Sequence, residues 1–504
     1  MPTEQLSFDR TSTDFDLREL QNVHPQDWKN PEPADSYGLV VIGAGPAGFL
    51  TALNAAKVGA KVAIVERDRF GGACFNVGCI PSKTLIRTSR LYAEMRNADN
   101  FGAEVPNDII VNFPAVMEKM RRVRARVSRR VSVQKLTSAG VDVFFGQARF
   151  AGPTAVEVEG KTLHFKRALI ATGARPKVPA IPGIVAAGYL TNENVFDLDE
   201  CPRRLLVLGG GPLGCELAQA FCRLGSQVHI VQDEPMFLGN EERDAAEVLS
   251  EALARDGIDI HLNSQAVSVR TEAEGKIVDL VSDDYKFTLT VDGILVGIGS
   301  APNVSDMNLE DAGVHYDKDD GIATNDYLQT SNRRIYAAGD VCSGKKFPHI
   351  EVAASEIVVR NAFFWGRERL SMSTVPFCTY TDPEIAHVGL YVTEARAKNI
   401  PIKTFTVMMS DVDRAITDGE DEGFVKIHVK EGTDQIIGAT VAASHAGELI
   451  SEISLAMNAK VGLRALARVN YPYPTQAQAI KLAANAYLDT LRSPIRSWLR
   501  KQWL

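Results

Sequence analysis

Two cysteines lie close together in the segment GACFNVGCIPSK, residues 72–83. Cys74 and Cys79 are separated by four residues, glycines flank them, and Lys83 ends the segment. Scattered cysteines of a protein in a reducing compartment are usually small, buried, apolar residues. No Cys/His cluster of the sequence has zinc-site spacing. The close pair is therefore the candidate for thiol chemistry, while the other five cysteines are scattered: Cys201, Cys215, Cys222, Cys342 and Cys378.

The stretch just upstream, YGLVVIGAGPAGFLTALNAAKVGAKVAIVERD, predicts a dinucleotide-binding unit. A buried strand (39–42) leads into Gly43, Gly45 and Gly48, a helix follows, and a second strand (61–65) ends in Glu66. Glycines at this spacing let the backbone approach a pyrophosphate, whose charge is favourable at a helix N-terminus. An acid about 20 residues further on is placed to accept a hydrogen bond from a ribose hydroxyl.

The same pattern returns in RRLLVLGGGPLGCELAQAFCRLGSQVHIVQDE. Gly209, Gly211 and Gly214 follow a strand (205–208), and the second strand (228–231) leads into Gln232 and Asp233. Two such units in one chain predict two bound dinucleotides. The alternative for either unit is a tight glycine turn that binds no ligand.

Two further segments fit a nucleotide-binding fold. LIATGARP (169–176) predicts a short buried strand that enters a turn at Thr172 and Gly173. IYAAGDVC (335–342) predicts a strand that ends in Gly339 and Asp340. In a flavin-binding fold, an acid at a strand end near a helix start can bind the ribityl chain.

Length and charge set the protein's class. A chain of 504 residues is too long for one hydrophobic core, so about three domains are expected. The net charge of −8 argues against a broad nucleic-acid-binding surface. No apolar run reaches the roughly 18 to 20 residues that a membrane span needs. The polar N-terminus lacks the apolar core of a secretion signal, so a cytoplasmic protein is expected.

In chain order, GAGPAG, GACFNVGCIPSK, ATGARP, GGGPLGCE and AAGDVC resemble the class I pyridine nucleotide-disulfide oxidoreductases. This family includes glutathione reductase, dihydrolipoamide dehydrogenase and mercuric reductase, and the resemblance covers about residues 38–490. It implies an α/β fold with two Rossmann-like dinucleotide-binding domains, for FAD and NAD(P), and a C-terminal α+β dimerisation domain. The chain is expected to be a homodimer.

The implied domains are an N-terminal extension (1–37), an FAD-binding domain (38–189 and 300–372), an NAD(P)-binding domain (190–299), a dimerisation domain (373–490) and a basic, aromatic tail (491–504). The sequence leaves open whether the extension wraps around a dimer or is disordered. It also leaves open whether the tail contacts an anionic membrane surface or packs on protein. Residues 114–136 predict a basic amphipathic helix with a solvated face and a core stripe.

The resemblance also assigns roles to residues. Cys74 and Cys79 would form a redox-active disulfide, with Cys79 as the charge-transfer thiolate against the flavin and Cys74 as the interchange thiol that meets the substrate. Lys83 and Glu216 would pair beside flavin N5, and no resident metal is implied. FAD would be held by Gly43, Gly45, Gly48, Glu66, Gly72, Thr172, Gly173, Gly339 and Asp340, and the nicotinamide dinucleotide by Gly209, Gly211, Gly214, Gln232 and Asp233.

The C-terminal segment YPYPTQAQAI departs from the His-Pro-Thr-x-x-Glu motif of glutathione reductase and lipoamide dehydrogenase. Tyr473 stands at the position of the acid/base histidine that comes from the partner subunit, and Gln478 stands at the glutamate. Tyrosine has an ordinary pKa near 10, which makes it a poor base at neutral pH. Mercuric reductase also has tyrosine there and another in a segment resembling GYLTNENVF, matched by Tyr189. The chain is therefore most similar to the mercuric-reductase-like branch, although it lacks that enzyme's C-terminal Cys-Cys.

The residues after the second unit favour NADH over NADPH. Gln232 is followed by Asp233 and Glu234, without an arginine to bind a 2′-phosphate, and acids repel that phosphate. The expected activity passes electrons from nicotinamide through flavin and dithiol to a small-molecule or protein disulfide, or to another thiol-reactive electrophile. The alternatives are a dihydrolipoamide dehydrogenase, an electron-transfer flavoprotein docked to a membrane or protein partner through its tail, and a flavoprotein that serves as a binding module.

Overall fold

A computed structural model describes residues 13–106, 109–283, 285–342, 348–364, 366–372 and 374–491. The chain divides into two compact units. Unit 1 contains residues 1–209, 223–227 and 265–373, and unit 2 contains residues 210–222, 228–264 and 374–504. Within the described ranges, no helix combines the length and apolar character needed to cross a bilayer. The predicted contacts of the basic tail beyond Leu491 lie outside the described residues.

The helices follow in chain order. They are α1 (Asp14–Val23), α2 (Pro46–Lys57), α3 (Gly72–Asn76), α4 (Cys79–Arg96), α5 (Phe113–Ser128), α6 (Val133–Ser138), α7 (Ile184–Ala187), α8 (Pro212–Arg223), α9 (Arg243–Arg255), α10 (Pro348–Phe363), α11 (Val392–Ala397), α12 (Asp413–Asp418), α13 (Ala446–Asn458), α14 (Leu463–Leu466) and α15 (Gln478–Thr490).

The strands are also given in chain order. They are β1 (Tyr37–Ile42), β2 (Val62–Glu66), β3 (Asp142–Phe145), β4 (Arg149–Phe150), β5 (Ala155–Val158), β6 (Lys161–Ile170), β7 (Ala174–Pro176), β8 (Arg204–Leu208), β9 (Gln227–Val231), β10 (Asp259–His261), β11 (Ser264–Glu272), β12 (Gly275–Ser282), β13 (Lys286–Val291), β14 (Gly293–Val296), β15 (Ser300–Pro302), β16 (Tyr316–Asp317), β17 (Gly321–Ile322), β18 (Ile335–Ala337), β19 (Pro376–Thr379), β20 (Glu384–Gly389), β21 (Ile402–Met408), β22 (Phe424–Lys430) and β23 (Ile436–Ala443).

Unit 1 is built on a sheet with the strand order β3-β2-β1-β6-β5-β4, in which β18 also pairs with β6. Strands β3, β2, β1, β6 and β18 run parallel, whereas β5 pairs antiparallel with β4 and with β6. The parallel strands end at Ile42, Glu66, Phe145, Ile170 and Ala337. The connections that follow them therefore meet at the carboxyl edge, where open α/β sheets bind their ligands.

Both faces of this sheet are covered, which explains the nearly continuous apolar runs of β1 and β2. Val41 and Ile64 pack with α2 and α10 on one face. Val40 and Ala63 face the opposite core, together with Ile335. Successive residues of a strand point to opposite faces, so one short strand contributes to two cores and is held in a single register.

The second strand–glycine–helix segment is shared between the units. Within unit 1, β8 pairs parallel with β14, and β11, β12 and β13 form a three-stranded sheet. Within unit 2, β9 pairs parallel with β10.

The C-terminal part of unit 2 is an antiparallel sheet with the order β19-β20-β23-β22-β21. Apolar residues of α13 and α15 pack on it, and Ile427, Val441, Ile453 and Ile480 lie at the centre of this core. An antiparallel sheet covered by helices on one side is the α+β arrangement.

Candidate active site

The first glycine loop (residues 43–48) joins β1 to α2 in a conformation that requires small residues. Gly43 has a φ of +98°. Gly48 packs directly on it, because a Cβ atom at Gly48 would lie 1.9 Å from the Gly43 carbonyl oxygen. Gly45 caps α2 and Pro46 occupies its first position. The remaining N–H groups of the first turn, which have no partner within the helix, can therefore bind a ligand.

Glu66, the last residue of β2, is hydrogen-bonded to this loop. Its Oε2 accepts a hydrogen bond from the Ala44 N–H at 2.7 Å, and its Oε1 accepts one from the Asp68 N–H at 2.8 Å. Burial raises the pKa of Glu66, and the two hydrogen bonds oppose that rise. The carboxylate thus fixes the loop, while its contact with a ribose hydroxyl stays a prediction.

A small cavity of about 90 Å³ opens beside the loop. Gly43, Glu66 and Thr172 line it together with Asn303. The Thr172 hydroxyl donates to the Asn303 carbonyl oxygen at 2.8 Å, and the Asn303 side-chain amide donates to the Thr172 carbonyl oxygen at 2.9 Å. Gly173 follows with a φ of +67°. The structure therefore brings three of the predicted FAD residues, Gly43, Glu66 and Thr172, to one cavity, and their contact with FAD stays a prediction.

The cysteine segment (residues 72–83) begins on the first glycine loop. The Gly71 N–H donates to the Ala44 carbonyl oxygen at 2.8 Å. Gly72 has a φ of +58°, and a Cβ atom there would lie 2.7 Å from the Gly45 Cα. A side chain at Gly72 would therefore separate the cysteines from the loop that is predicted to hold FAD.

Helices rather than an open loop carry the two cysteines. Cys74 lies in the short helix α3, Cys79 is the first residue of α4, and Lys83 follows one turn later. The cysteines are reduced and half-buried. A hydrogen bond with Cys79, and then burial, raise the pKa of Cys74, while Lys83 opposes the rise.

The position of Cys79 favours negative charge on this thiol. The helix α4 that it begins is 18 residues long, and a helix N-terminus stabilises a thiolate. The roles of Cys79 as the charge-transfer thiolate and of Cys74 as the interchange thiol stay predictions.

A buried arginine holds the segment between the cysteines. Arg124 of α5 donates from Nη1 to the Asn76 carbonyl oxygen at 3.2 Å. Its Nε donates to Glu19 Oε2 at 2.5 Å, and its Nη2 donates to Asp16 Oδ1 at 3.2 Å. Arg124 is 4% exposed and Glu19 is 1% exposed. We call these four residues the Arg124 network.

The Arg124 network adds to two interpretations of the sequence. Helix α5 has the predicted solvated face, on which Arg122 is exposed, but Arg121 and Arg124 belong to its buried stripe. The two acids come from the N-terminal extension, where Thr13 and Asp16 form a capping box that starts α1. This part of the extension packs on α5 of its own chain. Acids on α1 and bases on α5 lie more than 100 residues apart, so spacing alone does not reveal the pairing.

Replacing Arg124 with alanine is expected to loosen the cysteine segment. Removing one partner of a buried ion pair leaves a buried charge and typically costs about 3 to 5 kcal/mol. Glu19→Gln keeps the shape and is the milder variant if Arg124→Ala does not fold. We expect both variants to lower the melting temperature and to speed alkylation of the cysteines in the reduced protein. Arg122 is an exposed residue of the same helix, so Arg122→Ala should change neither the melting temperature nor the alkylation rate. Unchanged alkylation in Glu19→Gln would contradict the prediction.

The segment that contains Tyr189 also reaches the cysteines. Asn192 donates from its side-chain amide to the Val77 carbonyl oxygen at 3.4 Å. Tyr189 itself lines a larger cavity of about 590 Å³, with Lys276 and Asp292 in its walls. The connection to the cysteine segment thus runs through Asn192, which no motif marked, and a catalytic role for Tyr189 stays a prediction.

Gly339 and Asp340 follow β18 at the same sheet edge, and the structure adds a third residue to them. Gly339 has a φ of +81°, and a Cβ atom there would lie 3.3 Å from Glu351 Oε1. Glu351 belongs to α10, which packs along α2. No motif singles out Glu351, because its position depends on how two helices far apart in sequence meet.

The second glycine loop (residues 209–214) repeats features of the first. Gly209 has a φ of +106°, and a Cβ atom there would lie 2.6 Å from the Gly297 carbonyl oxygen. Gly214 is buried within α8. A Cβ atom at Gly211 would meet nothing within 4 Å, which leaves that position open to a ligand.

Gln232 holds the second loop as Glu66 holds the first. Its Oε1 accepts a hydrogen bond from the Gly210 N–H at 2.6 Å. Each pair is separated by 22 residues in sequence. The side chain that binds the second loop, that of Gln232, is therefore uncharged. Asp233 and Glu234, the next two residues, are exposed.

Glu216 is buried in α8. Its Oε1 accepts a hydrogen bond from the Tyr380 N–H at 2.8 Å. Both residues belong to unit 2, whereas Lys83 belongs to unit 1. The Lys83–Glu216 pair therefore stays a prediction.

Tyr473 is 70% exposed, and its hydroxyl donates to Asp413 Oδ2 at 3.0 Å. This hydrogen bond and the charge of Asp413 raise the pKa of Tyr473. A phenol whose pKa lies above its ordinary value stays protonated at neutral pH and donates rather than accepts protons. Gln478, the second departure from the motif, begins α15.

Comparison with known proteins matches this arrangement to one family. Residues 37–356 match the family described as pyridine nucleotide-disulphide oxidoreductase, and residues 375–484 match its dimerisation domain. A mercuric reductase of Staphylococcus aureus is 33% identical over 448 residues, which are 89% of this chain and 82% of that protein. A dihydrolipoyl dehydrogenase of Chlamydia muridarum is 31% identical over 467 residues, 90% of this chain and 98% of the relative.

Solved structures agree. The HOCl-induced flavoprotein disulfide reductase RclA from Escherichia coli superimposes with a TM-score of 0.80 at 27% identity, covering 89% of this chain and 99% of RclA. LpdA from Mycobacterium tuberculosis gives a TM-score of 0.81 at 29% identity, with 89% and 99% covered. These matches confirm the predicted α/β class with FAD-binding and dimerisation domains.

Proposed function

Because the chain belongs to the pyridine nucleotide-disulphide oxidoreductase family, we propose that it passes electrons from NADH through FAD and the Cys74–Cys79 pair to a thiol-reactive electrophile. The observation that carries the proposal is the pair of hydrogen-bonded thiols anchored on a glycine loop. FAD, when bound, carries electrons between the nicotinamide and the cysteine pair. Gly43, Glu66 and Thr172 would hold it at the cavity described above.

The two thiols have distinct tasks in this proposal. With a sulfur electrophile, the Cys74 thiol loses its proton and attacks the acceptor's sulfur; a bond forms between the two sulfurs, and the bond from the acceptor's sulfur to its leaving group breaks. Cys79 then attacks Cys74, which restores the disulfide and releases the acceptor's sulfur with its electron pair, as a thiolate or thiocyanate anion. A soft metal ion would instead be bound by both thiolates. The helix N-terminus at Cys79 supports this order, because it stabilises the thiolate that is needed for the second attack.

The acceptor class follows from Tyr473. In a homodimer, the partner subunit's Tyr473 would face Cys74, where a histidine would otherwise exchange protons. A tyrosine held protonated by Asp413 cannot serve as a general base near neutral pH. We therefore propose an acceptor that reacts with a thiolate without needing that base, such as a soft metal ion or a reactive sulfur electrophile. The similarity to mercuric reductase supports this choice over lipoamide.

The nicotinamide preference follows from the second glycine loop. The uncharged Gln232 accepts a hydrogen bond from that loop, and the exposed acids Asp233 and Glu234 directly follow Gln232 in the chain. We propose NADH, because a 2′-phosphate would meet two negative charges and no arginine.

Anaerobic reduction of the full chain tests the donor and the acceptor in turn. We expect NADH to reduce the protein at least about tenfold faster than NADPH, which equals about 1.4 kcal/mol of discrimination. Reoxidation by Hg(II) or hypothiocyanite should exceed that by lipoamide, glutathione disulfide or a quinone. Undiminished quinone reduction by a variant that lacks the Cys74–Cys79 pair would support the alternative electron-transfer function instead. Faster turnover of lipoamide than of the electrophiles would contradict the proposed acceptor class.

A further inference from the structure

The carboxyl group of Glu351 lies at the N-terminus of α2. It accepts a hydrogen bond from the Ala47 N–H, in the first turn of that helix. Its Oε1 lies 3.3 Å from the position that a Cβ atom of Gly339 would take. Its Oε2 is buried and has no hydrogen-bond partner among the described residues. Among the described residues, no cation forms an ion pair with this acid, which lies beside the glycine loop that is predicted to hold FAD.

The charged groups around Glu351 come from three elements. Asp340 faces it from the end of β18, and Cys79 faces it from α4. The charge of Glu351 also raises the pKa of Cys74 in α3, and the charge of Lys83 lowers the pKa of that thiol. Burial, followed by the charge of Asp340, raises the pKa of Glu351 to about 8; the hydrogen bond from Ala47 opposes the rise and Cys79 adds to it.

An ionised Glu351 and a bound dinucleotide would compete for the same donor. The N–H groups that follow a glycine loop bind the pyrophosphate of a dinucleotide. A phosphate oxygen and a carboxylate oxygen both accept hydrogen bonds and both carry negative charge, so they repel each other in a buried site. A protonated carboxyl removes the repulsion and can itself donate to the phosphate.

We propose that FAD binds to the form of the protein in which Glu351 is protonated, so that cofactor retention is linked to proton uptake at this residue. This inference rests on the proposed function, in which the first glycine loop binds FAD. It assigns to α10 a part in the chemistry of the cofactor site that none of the sequence motifs indicates.

The direction of the pH dependence follows from the raised pKa. Below pH 8 the carboxyl is protonated in both free and FAD-bound protein, so the affinity should change little. Above pH 8 the free protein is ionised and binding takes up a proton, so the affinity should fall by up to about tenfold for each pH unit. A glutamine at this position stays neutral and should remove the dependence.

Release of FAD from the diluted full-length holoprotein, followed by flavin fluorescence between pH 6.5 and 9.5, tests the inference. We expect the dissociation constant of the unmodified protein to rise about fivefold from pH 8 to 9, the interval that begins at the pKa of Glu351, and that of Glu351→Gln to stay level. Glu356→Gln, an exposed position on the same helix, should follow the unmodified protein. Parallel profiles of the unmodified protein and Glu351→Gln would overturn the inference.

A second measurement keeps the test decisive if Glu351→Gln does not fold. When unmodified holoprotein is diluted into weakly buffered solution at pH 9, each FAD released should be accompanied by release of close to one proton, read with an indicator dye. Release of FAD without protons would overturn the inference. A protein that holds no FAD at any pH would instead overturn the proposed function, so the two failures are distinguishable.

Discussion

Replacing Cys74 with serine should stop turnover while the reduced protein keeps its long-wavelength thiolate–flavin absorbance. Replacing Cys79 with serine should abolish that absorbance as well as turnover. The reason is the geometry of the pair, in which Cys79 begins α4 and Cys74 shares a hydrogen bond with it. The rate loss should reach roughly three orders of magnitude or more, the scale seen when a covalent nucleophile is removed.

Anaerobic titration with NADH, recorded as visible spectra, distinguishes the two variants, and stopped-flow reoxidation gives the rate. Cys201→Ser is the matched control, because Cys201 is a half-buried thiol outside the cysteine segment. It should leave the spectrum and the rate unchanged. Normal turnover by Cys74→Ser would show that Cys74 is not the thiol that attacks the acceptor.

Adding one methyl group at Gly48 is expected to weaken FAD binding. The new Cβ atom of Gly48→Ala would lie 1.9 Å from the Gly43 carbonyl oxygen, so the backbone of the first glycine loop must move. The first-turn N–H groups that would hold the pyrophosphate move with it. We expect FAD affinity to fall by at least about tenfold, or about 1.4 kcal/mol. Overpacking should also cost about 1 to 3 kcal/mol of folding free energy.

The flavin content of purified protein and the melting temperature measure these two effects. Gly38→Ala in β1 is the control, because a Cβ atom there would make an ordinary contact of 3.4 Å with the Lys61 carbonyl oxygen. It should retain flavin. Full flavin content in Gly48→Ala would show that the first glycine loop does not bind the cofactor.

Local sequence patterns predicted the elements on which the site is built. The glycine spacing and the acid 20 residues later depend on short-range geometry that a strand–loop–helix unit fixes by itself. The predicted strand 39–42 lies within β1, and Glu66 is the last residue of β2. The cysteine segment was placed beside the first glycine loop for the same reason, since only a few residues join β2 to Gly72.

Contacts made between elements distant in sequence were not predictable. Arg124 reaches Glu19 across 105 residues and Asn76 across 48, and each residue alone resembles an ordinary surface charge. Glu351 depends on the packing of α10 on α2. The sequence predicts that Gln232 contacts the nicotinamide dinucleotide, whereas in the structure its Oε1 accepts a hydrogen bond from the Gly210 N–H. Its role required knowledge of the loop conformation.

The Arg124 network has a consequence for shortened forms of the protein. The match to the family begins at residue 37, and a truncation designed on that boundary would keep both glycine loops and every cysteine. It would remove Asp16 and Glu19, the two carboxylates that neutralise the guanidinium of Arg124. Such a fragment would contain each motif of the family, yet Arg124 beside the cysteine segment would lose both of its acidic partners and the helix that packs over it. We therefore expect a catalytically active fragment to begin before α1, upstream of residue 37, where the family match starts.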